Sequence, residues 1–111
     1  MSKKIALCLL ENNRIAPRFD FAQKLMLVTV SDFNEIISQE VMQVKHMKTM
    51  ERCHILVDLG VSLLICGGVH KQCQEVLNKA EVNCINNVIG SSEAVLKEHF
   101  KNTLCSGKTL D

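Results

Sequence analysis

Two thiols and an imidazole fall within eight residues in Cys66-Gly67-Gly68-Val69-His70-Lys71-Gln72-Cys73. The segment follows the apolar run Val61-Ser62-Leu63-Leu64-Ile65 and precedes residues with helical periodicity. These groups therefore gather where a buried strand turns into a helix. In open α/β sheets, ligands bind outside the carboxyl ends of the strands. Paired glycines let the backbone turn sharply and approach a ligand. A helix start adds N–H groups and positive partial charge, which favour an anion or a thiolate. Thiolate and imidazole suit soft metals and iron–sulfur clusters. Cys66, His70 and Cys73 are thus candidate metal ligands, although Cys-x3-His-x2-Cys matches no standard zinc-finger or ferredoxin spacing.

Each candidate has a plainer alternative. Cys66 also fits a core thiol at a strand end, and His70 an ordinary surface histidine. Cys73 lies on the apolar stripe of Val69, Val76 and Leu77, where a cysteine behaves as a small hydrophobe. A second soft group, Met42, His46, Met47 and Met50 with Cys53-His54, follows the third strand; such methionines commonly plug gaps. Cys8 and Cys84 sit in strand patterns and read as core. Cys105 reads as an exposed thiol in the tail. Arg18, in Ala16-Pro17-Arg18-Phe19, is placed to pair with an anionic cluster or phosphate, or else is a solvated arginine. Phe19 reads as the anchor of that loop. Of the six thiols, Cys66 and Cys105 are expected to react fastest with an alkylating probe.

The elements that must hold these residues follow from hydropathy. Residues 4–10 form a continuous apolar run, the mark of a strand buried on both faces. A loop containing the sole proline, Pro17, follows. Lys24–Val30 and residues 36–44 read as two further strands around the turn Ser31-Asp32-Phe33-Asn34-Glu35. Thr49 is a candidate N-cap and Gly60 a candidate stop for a helix whose inner face is Cys53, Leu56 and Val57. Residues 61–66 form a fourth strand, 69–80 a second helix and 82–85 a fifth strand. A last helix is capped by Ser91 or Ser92, with Val95, Leu96 and Phe100 inward. Residues 1–101 thus form one domain, and 102–111 read as a flexible tail.

At 111 residues and a formal net charge of +1, with the signs interspersed, the chain is not steered toward nucleic acid or an anionic membrane. With four Phe and no Trp or Tyr, it lacks a stacking platform for single strands. The apolar run after Met1-Ser2-Lys3-Lys4 is too short for a signal peptide, and no segment approaches the length of a membrane span. The expected compartment is the cytoplasm, where thiols stay reduced.

The element order β-β-β-α-β-α-β-α, the N-terminal Lys4-Ile5-Ala6 strand, the Ala16-Pro17-Arg18-Phe19 loop and Ile65-Cys66-Gly67-Gly68-Val69 together resemble the dinitrogenase iron–molybdenum cofactor biosynthesis family. The resemblance runs over roughly residues 3–100. It implies a ribonuclease H-like α/β fold: a mixed five-stranded sheet, its first three strands antiparallel, with helices on both faces. It also implies an association with iron–sulfur or molybdenum-containing clusters. The chain departs from the pattern at two places. The family loop usually continues from Phe into Gly-Arg, where Asp20-Phe21 stand here. A further Gly and a Pro or Arg usually follow the Gly-Gly turn, where His70-Lys71-Gln72-Cys73 stand here. Nuclease chemistry is not expected, because the first strand carries no carboxylate to hold magnesium.

These observations lead to a small non-enzymatic protein that binds or carries an iron–sulfur or molybdenum-containing cluster. Cys66, His70 and Cys73 are its expected metal ligands, and Arg18, Gly67 and Gly68 complete the cofactor site. Its partner would be a metalloenzyme or a cofactor-assembly protein. Two alternatives stand beside it: a thiol redox sensor using Cys66 and Cys73, and a metal-free module that regulates a metalloenzyme.

Overall fold

The computed structural model describes residues 2–110; Met1 and Asp111, the ends of the expected domain and tail, lie outside them. Five strands, β1 (Lys3–Leu9), β2 (Lys24–Val30), β3 (Ile36–Gln43), β4 (Leu63–Ile65) and β5 (Asn83–Ile85), form one sheet in the order β3-β2-β1-β4-β5. β1 to β3 run as an antiparallel meander, and β4 and β5 lie parallel to β1. The apolar first strand is central, as expected, with Leu7 opposite Met26 on one side and Ile65 on the other. A strand flanked on both sides and covered on both faces needs apolar side chains throughout. The mixed five-stranded α/β architecture implied by the sequence is therefore the fold of this chain.

The two-residue strand period sorts side chains into two cores. Ala6, Cys8, Leu25, Leu27, Leu64 and Cys66 face α1 (Thr49–Asp58) and α2 (Lys71–Lys79). Ile5, Leu7, Leu9, Val28 and Ile65 face α3 (Ser92–Phe100). One consequence concerns sulfur. Cys8, Cys53, Cys66 and Cys73 are all buried in the α1/α2 core, and Cys84 packs against it.

The helix ends show which local signals act. Gly60, at φ 74°, stops α1: its N–H donates to Val57 O and that of Val61 to Leu56 O. This is a Schellman closure. Glu81, at φ 62°, stops α2 in the same way, with Glu81 N–H on Asn78 O and Val82 N–H on Leu77 O. Ser91 caps α3 through Oγ, which accepts from Ala94 N–H. The cap of α1 is Lys48 rather than Thr49; Glu51 Oε1 reaches back to the Lys48 N–H, and Thr49 enters the first turn. The second helix begins at Lys71: His70 is still extended as its N-cap, and Gly68 before it pairs with the Pro17 loop. Residues after α3, read above as a tail, turn back on the domain. Leu110 N–H donates to Ile89 O, Ile89 N–H to Lys108 O, and Leu104 and Leu110 pack on the α3 core.

One buried cation joins these parts and left no sign in the hydropathy pattern. Arg52, on α1, is 5% exposed. Its guanidinium donates to Val44 O at 2.9 Å and Phe19 O at 3.0 Å, and its Nε donates to Met47 O at 3.2 Å. It thereby ties the Pro17 loop and the β3–α1 connection to the helix. The planar fork reaches three loop carbonyls at once, adding a charged donor to Val44 O and Phe19 O, which also accept from Met47 N–H and Ala22 N–H. Arg52→Met keeps much of the stem and removes the donors. Urea unfolding should show a loss of about 2–4 kcal/mol, the scale of hydrogen bonds made by a buried charge. A loss below about 0.5 kcal/mol, the ordinary surface effect, would contradict this role.

Candidate functional site

The site is built where β1, β4 and β5 end. After β1 the chain doubles back: Ile15 bridges Leu9, and Ala16 N–H donates to Cys8 O. The Pro17 loop then runs alongside the glycine turn. Gly68 N–H donates to Pro17 O at 2.8 Å, and Phe19 N–H to Gly68 O at 2.7 Å. On the other flank, Asn87 N–H donates to Gly67 O and Val88 N–H to Cys66 O. Three loops are thus laced into one rim. Phe19, fully buried, anchors the first of them. Between them lies a cleft of about 410 Å³ lined by Leu10, Arg14, Ile15, Pro17, Gly67, Asn87, Val88 and Ile89.

The two glycines have different reasons to be glycine. A Cβ on Gly67 would collide with the carbonyl oxygens of Ala16 and Pro17. The loop backbone occupies that space, so Gly67 serves chain-to-chain contact. A Cβ on Gly68 would meet only ordinary contacts, from 3.6 Å outward, with Pro17 O, Arg18 Cγ and Asn87 Oδ1. Gly68 therefore lies between the Arg18 and Asn87 side chains.

Arg18 belongs to a small charged group. Its Nε lies 3.4 Å from Asp20 Oδ1, its Nη2 lies 3.5 Å from His70 Nε2, and its guanidinium carbon stands 5.9 Å from the centre of the Phe21 ring. His70 Nε2 is 3.8 Å from Asp20 Oδ2. His70 is the N-cap residue of α2, but its side chain makes no capping bond and turns to Asp20 and Arg18 instead. The two places where the chain departs from the family pattern, Asp20-Phe21 and His70, thus meet in space. The sequence could not show this, since 50 residues separate them.

The structure does not gather the three expected metal ligands. Cys66 is fully buried and points into the α1/α2 core rather than toward the cleft. The strand period decides this, because Cys66 continues the alternation of Leu64. Burial, with the nearby Cys84 thiol, pushes the Cys66 thiol up to about 12, so no thiolate is stabilised there. Cys73 is buried as well and faces Cys53 of α1. His70 alone of the three is exposed. Among the described residues, no group of three or more His, Cys, Asp or Glu side chains is assembled to hold a metal. Arg18, Gly67 and Gly68 do lie together at the rim. Arg14, a lining residue of the cleft, was missed. Its signal was its place four residues beyond the end of the first apolar run, in the same loop as Arg18.

The fold is a mixed α/β sheet domain, and the cleft lies at the carboxyl ends of its parallel strands. The profile of the dinitrogenase iron-molybdenum cofactor family matches residues 1–102, and the chain belongs to that family. No curated protein sequence matches it. Solved structures with the same fold include that of PH0822, at 16% identity and a TM-score of 0.83 over 91% of each chain. Another is a protein from Methanocaldococcus jannaschii, at 16% identity and TM-score 0.76 over 94% of this chain and 93% of the other. A third is the apo form of the orange protein from Desulfovibrio gigas, at 16% identity and TM-score 0.71 over 94% and 92%.

Two outcomes are expected from this geometry. Gly67→Ala should destabilise the fold by about 1–3 kcal/mol, the usual cost of overpacking, while Gly68→Ala changes stability little; equal effects in urea unfolding would refute the distinction. Thiol chemistry gives the other. Cys105, exposed, should be alkylated far faster than Cys66 in the native chain. Because burial raises the Cys8, Cys66 and Cys84 thiols, folding favours their protonated forms. The resulting stability is complete below about pH 8.5, where unfolded thiols are also protonated. It is lost as the pH rises toward 12, at about 1.4 kcal/mol per pH unit for each thiol that ionises only on unfolding. The decline should be shallower in Cys66→Ala, and identical slopes would contradict the assignment.

Proposed function

We propose that this protein binds an anionic metal–sulfur cluster as cargo in the cleft beside Gly67, without a cysteine ligand, and presents it to a metalloenzyme or an assembly protein. The observation that carries this reading is the composition of the cleft. Arg14 lines it, Arg18 stands beside its Gly67–Gly68 wall, and Leu10, Ile15, Pro17, Val88 and Ile89 supply apolar surface. No cysteine is among the lining residues. Such a site suits a cluster that brings its own sulfide ligands. Guanidinium groups would meet its negative charge and N–H donors its sulfur atoms, while the apolar floor covers its less hydrated faces. A cluster bridged by protein thiolates fits poorly, because the nearest thiol, Cys66, is sealed in the core. Membership of the dinitrogenase iron-molybdenum cofactor family supports the cluster as ligand class.

No base–nucleophile pair lines the cleft, and the reading is a carrier or accessory role. The Cys66–Cys73 redox sensor loses its support, since both thiols are buried and Cys73 faces Cys53.

Asp20 gives the proposal a signed test. Its carboxylate lies against Arg18 and His70 and offsets the attraction of the Arg18 guanidinium for an anion. Tetrathiomolybdate, titrated anaerobically and followed by its absorption spectrum and by equilibrium dialysis, should bind the wild-type chain. Affinity should fall about tenfold or more in Arg14→Ala and Arg18→Ala, on the scale of changes around a metal site. It should rise in Asp20→Asn, stay unchanged in Cys66→Ala, and weaken with added salt. Binding that depends on Cys66 and ignores both arginines would overturn the proposal.

A further inference from the structure

The second soft group of the sequence resolves into a compact set of sulfur atoms away from the cleft. Met50 and Cys53 lie three residues apart on α1, which puts them on one helix face. That face meets α2, where Cys73 is the third residue. Cys73 Sγ lies 3.9 Å from Met50 Sδ. Burial, with the neighbouring Cys73 thiol, raises the Cys53 thiol. Cys73 of α2 therefore meets sulfur from α1 at Met50 and, in the buried core, at Cys53. Met42, Met47, His46 and His54 take no part in this set: the two methionines pack on the core, and the two histidines are exposed.

We propose that Met50, Cys53 and Cys73 form a binding site for a single Cu(I) ion, independent of the cluster cleft. Metal–thiolate bonds of about 2.3 Å at trigonal angles set the donor atoms about 4 Å apart. The Cys73–Met50 separation of 3.9 Å already has that value. Two thiolates and a thioether, with no hard oxygen or imidazole, select Cu(I) among the biological metals. Zinc closes a structural site with four ligands, and among the described residues the set gathered here is Met50, Cys53 and Cys73. Binding exchanges protons for metal: two thiols and Cu(I) give a Cu(I) dithiolate and two protons released to solvent, with no change in oxidation state. Affinity therefore rises with pH. Cys53 and Cys73 are sealed, whereas Met50 is 38% exposed, so Met50 is both third ligand and entry point.

The test is an anaerobic competition titration of the reduced full-length chain with Cu(I) and a chromophoric Cu(I) chelator. X-ray absorption then counts sulfur neighbours. The wild type should take up one Cu(I) with three sulfur neighbours and reject Zn(II) at equal concentration. Met50→Leu conserves volume and should stay folded by circular dichroism. It should weaken binding about tenfold and reduce the shell to two sulfurs. Cys73→Ala should abolish specific uptake, whereas Cys105→Ser should leave it unchanged. Absence of Cu(I) uptake by the wild type would overturn the proposal. So would uptake lost with Cys105→Ser, or a shell and affinity unaltered by Met50→Leu. Tetrathiomolybdate binding to metal-free Met50→Leu separates this site from the cleft, since it should equal the wild type whatever the copper result.

Discussion

The pairing of the Pro17 loop with the glycine turn is the constraint on which the rest of the site depends. Two hydrogen bonds, Gly68 N–H to Pro17 O and Phe19 N–H to Gly68 O, hold the loops in register. Their approach is so close that residue 67 has no room for a side chain. Unpaired backbone groups at strand ends are costly when buried. Lacing the loops together satisfies them and leaves a rigid wall beside the cleft. Arg52 completes the arrangement from below by holding Phe19 O and Val44 O together.

A rigid rim separates two chemistries that the sequence places side by side. The backbone of Cys66 and Gly67 faces the loops, but the side chain of Cys66 follows the strand alternation into the core. The cleft is left with guanidinium, amide and apolar groups, while the sulfur collects beneath α1 and α2. A sulfur-rich core suits helix packing, because a thiol is small, polarizable and weakly polar. In that core the thiols stay protonated, since burial disfavours their charge. Soft-metal chemistry there requires a metal to displace the protons.

Charge at the rim is set by pairs rather than by single residues. Arg18 would be a free anion receptor if glycine followed Phe19. With Asp20 in that place, its Nε meets a carboxylate, and His70 lies against both. At exposed positions such pairs contribute little stability. Their effect falls on the local charge of the rim.

The sequence alone determined the sheet and its order. Strand and helix periods are local, and an apolar run such as 5–9 has one stable place, at the centre of a covered sheet. Gly60 and Ser91 announced their helix ends for the same reason: a cap needs only its own neighbours. The Ala16–Phe19 and Cys66–Val69 motifs stood out in the sequence, and the structure pairs them as neighbouring loops. Which atoms face the cleft was decided only in three dimensions. Cys66 lies one residue beyond a strand, and a one-residue step flips a side chain from crevice to core. His70 lost its helical turn because Gly68 pairs with the Pro17 loop. Arg52 was silent in the sequence, and although Met50, Cys53 and Cys73 stood out as soft groups, their meeting across α1 and α2 was not legible, because only the packed chain brings groups on separate elements within reach.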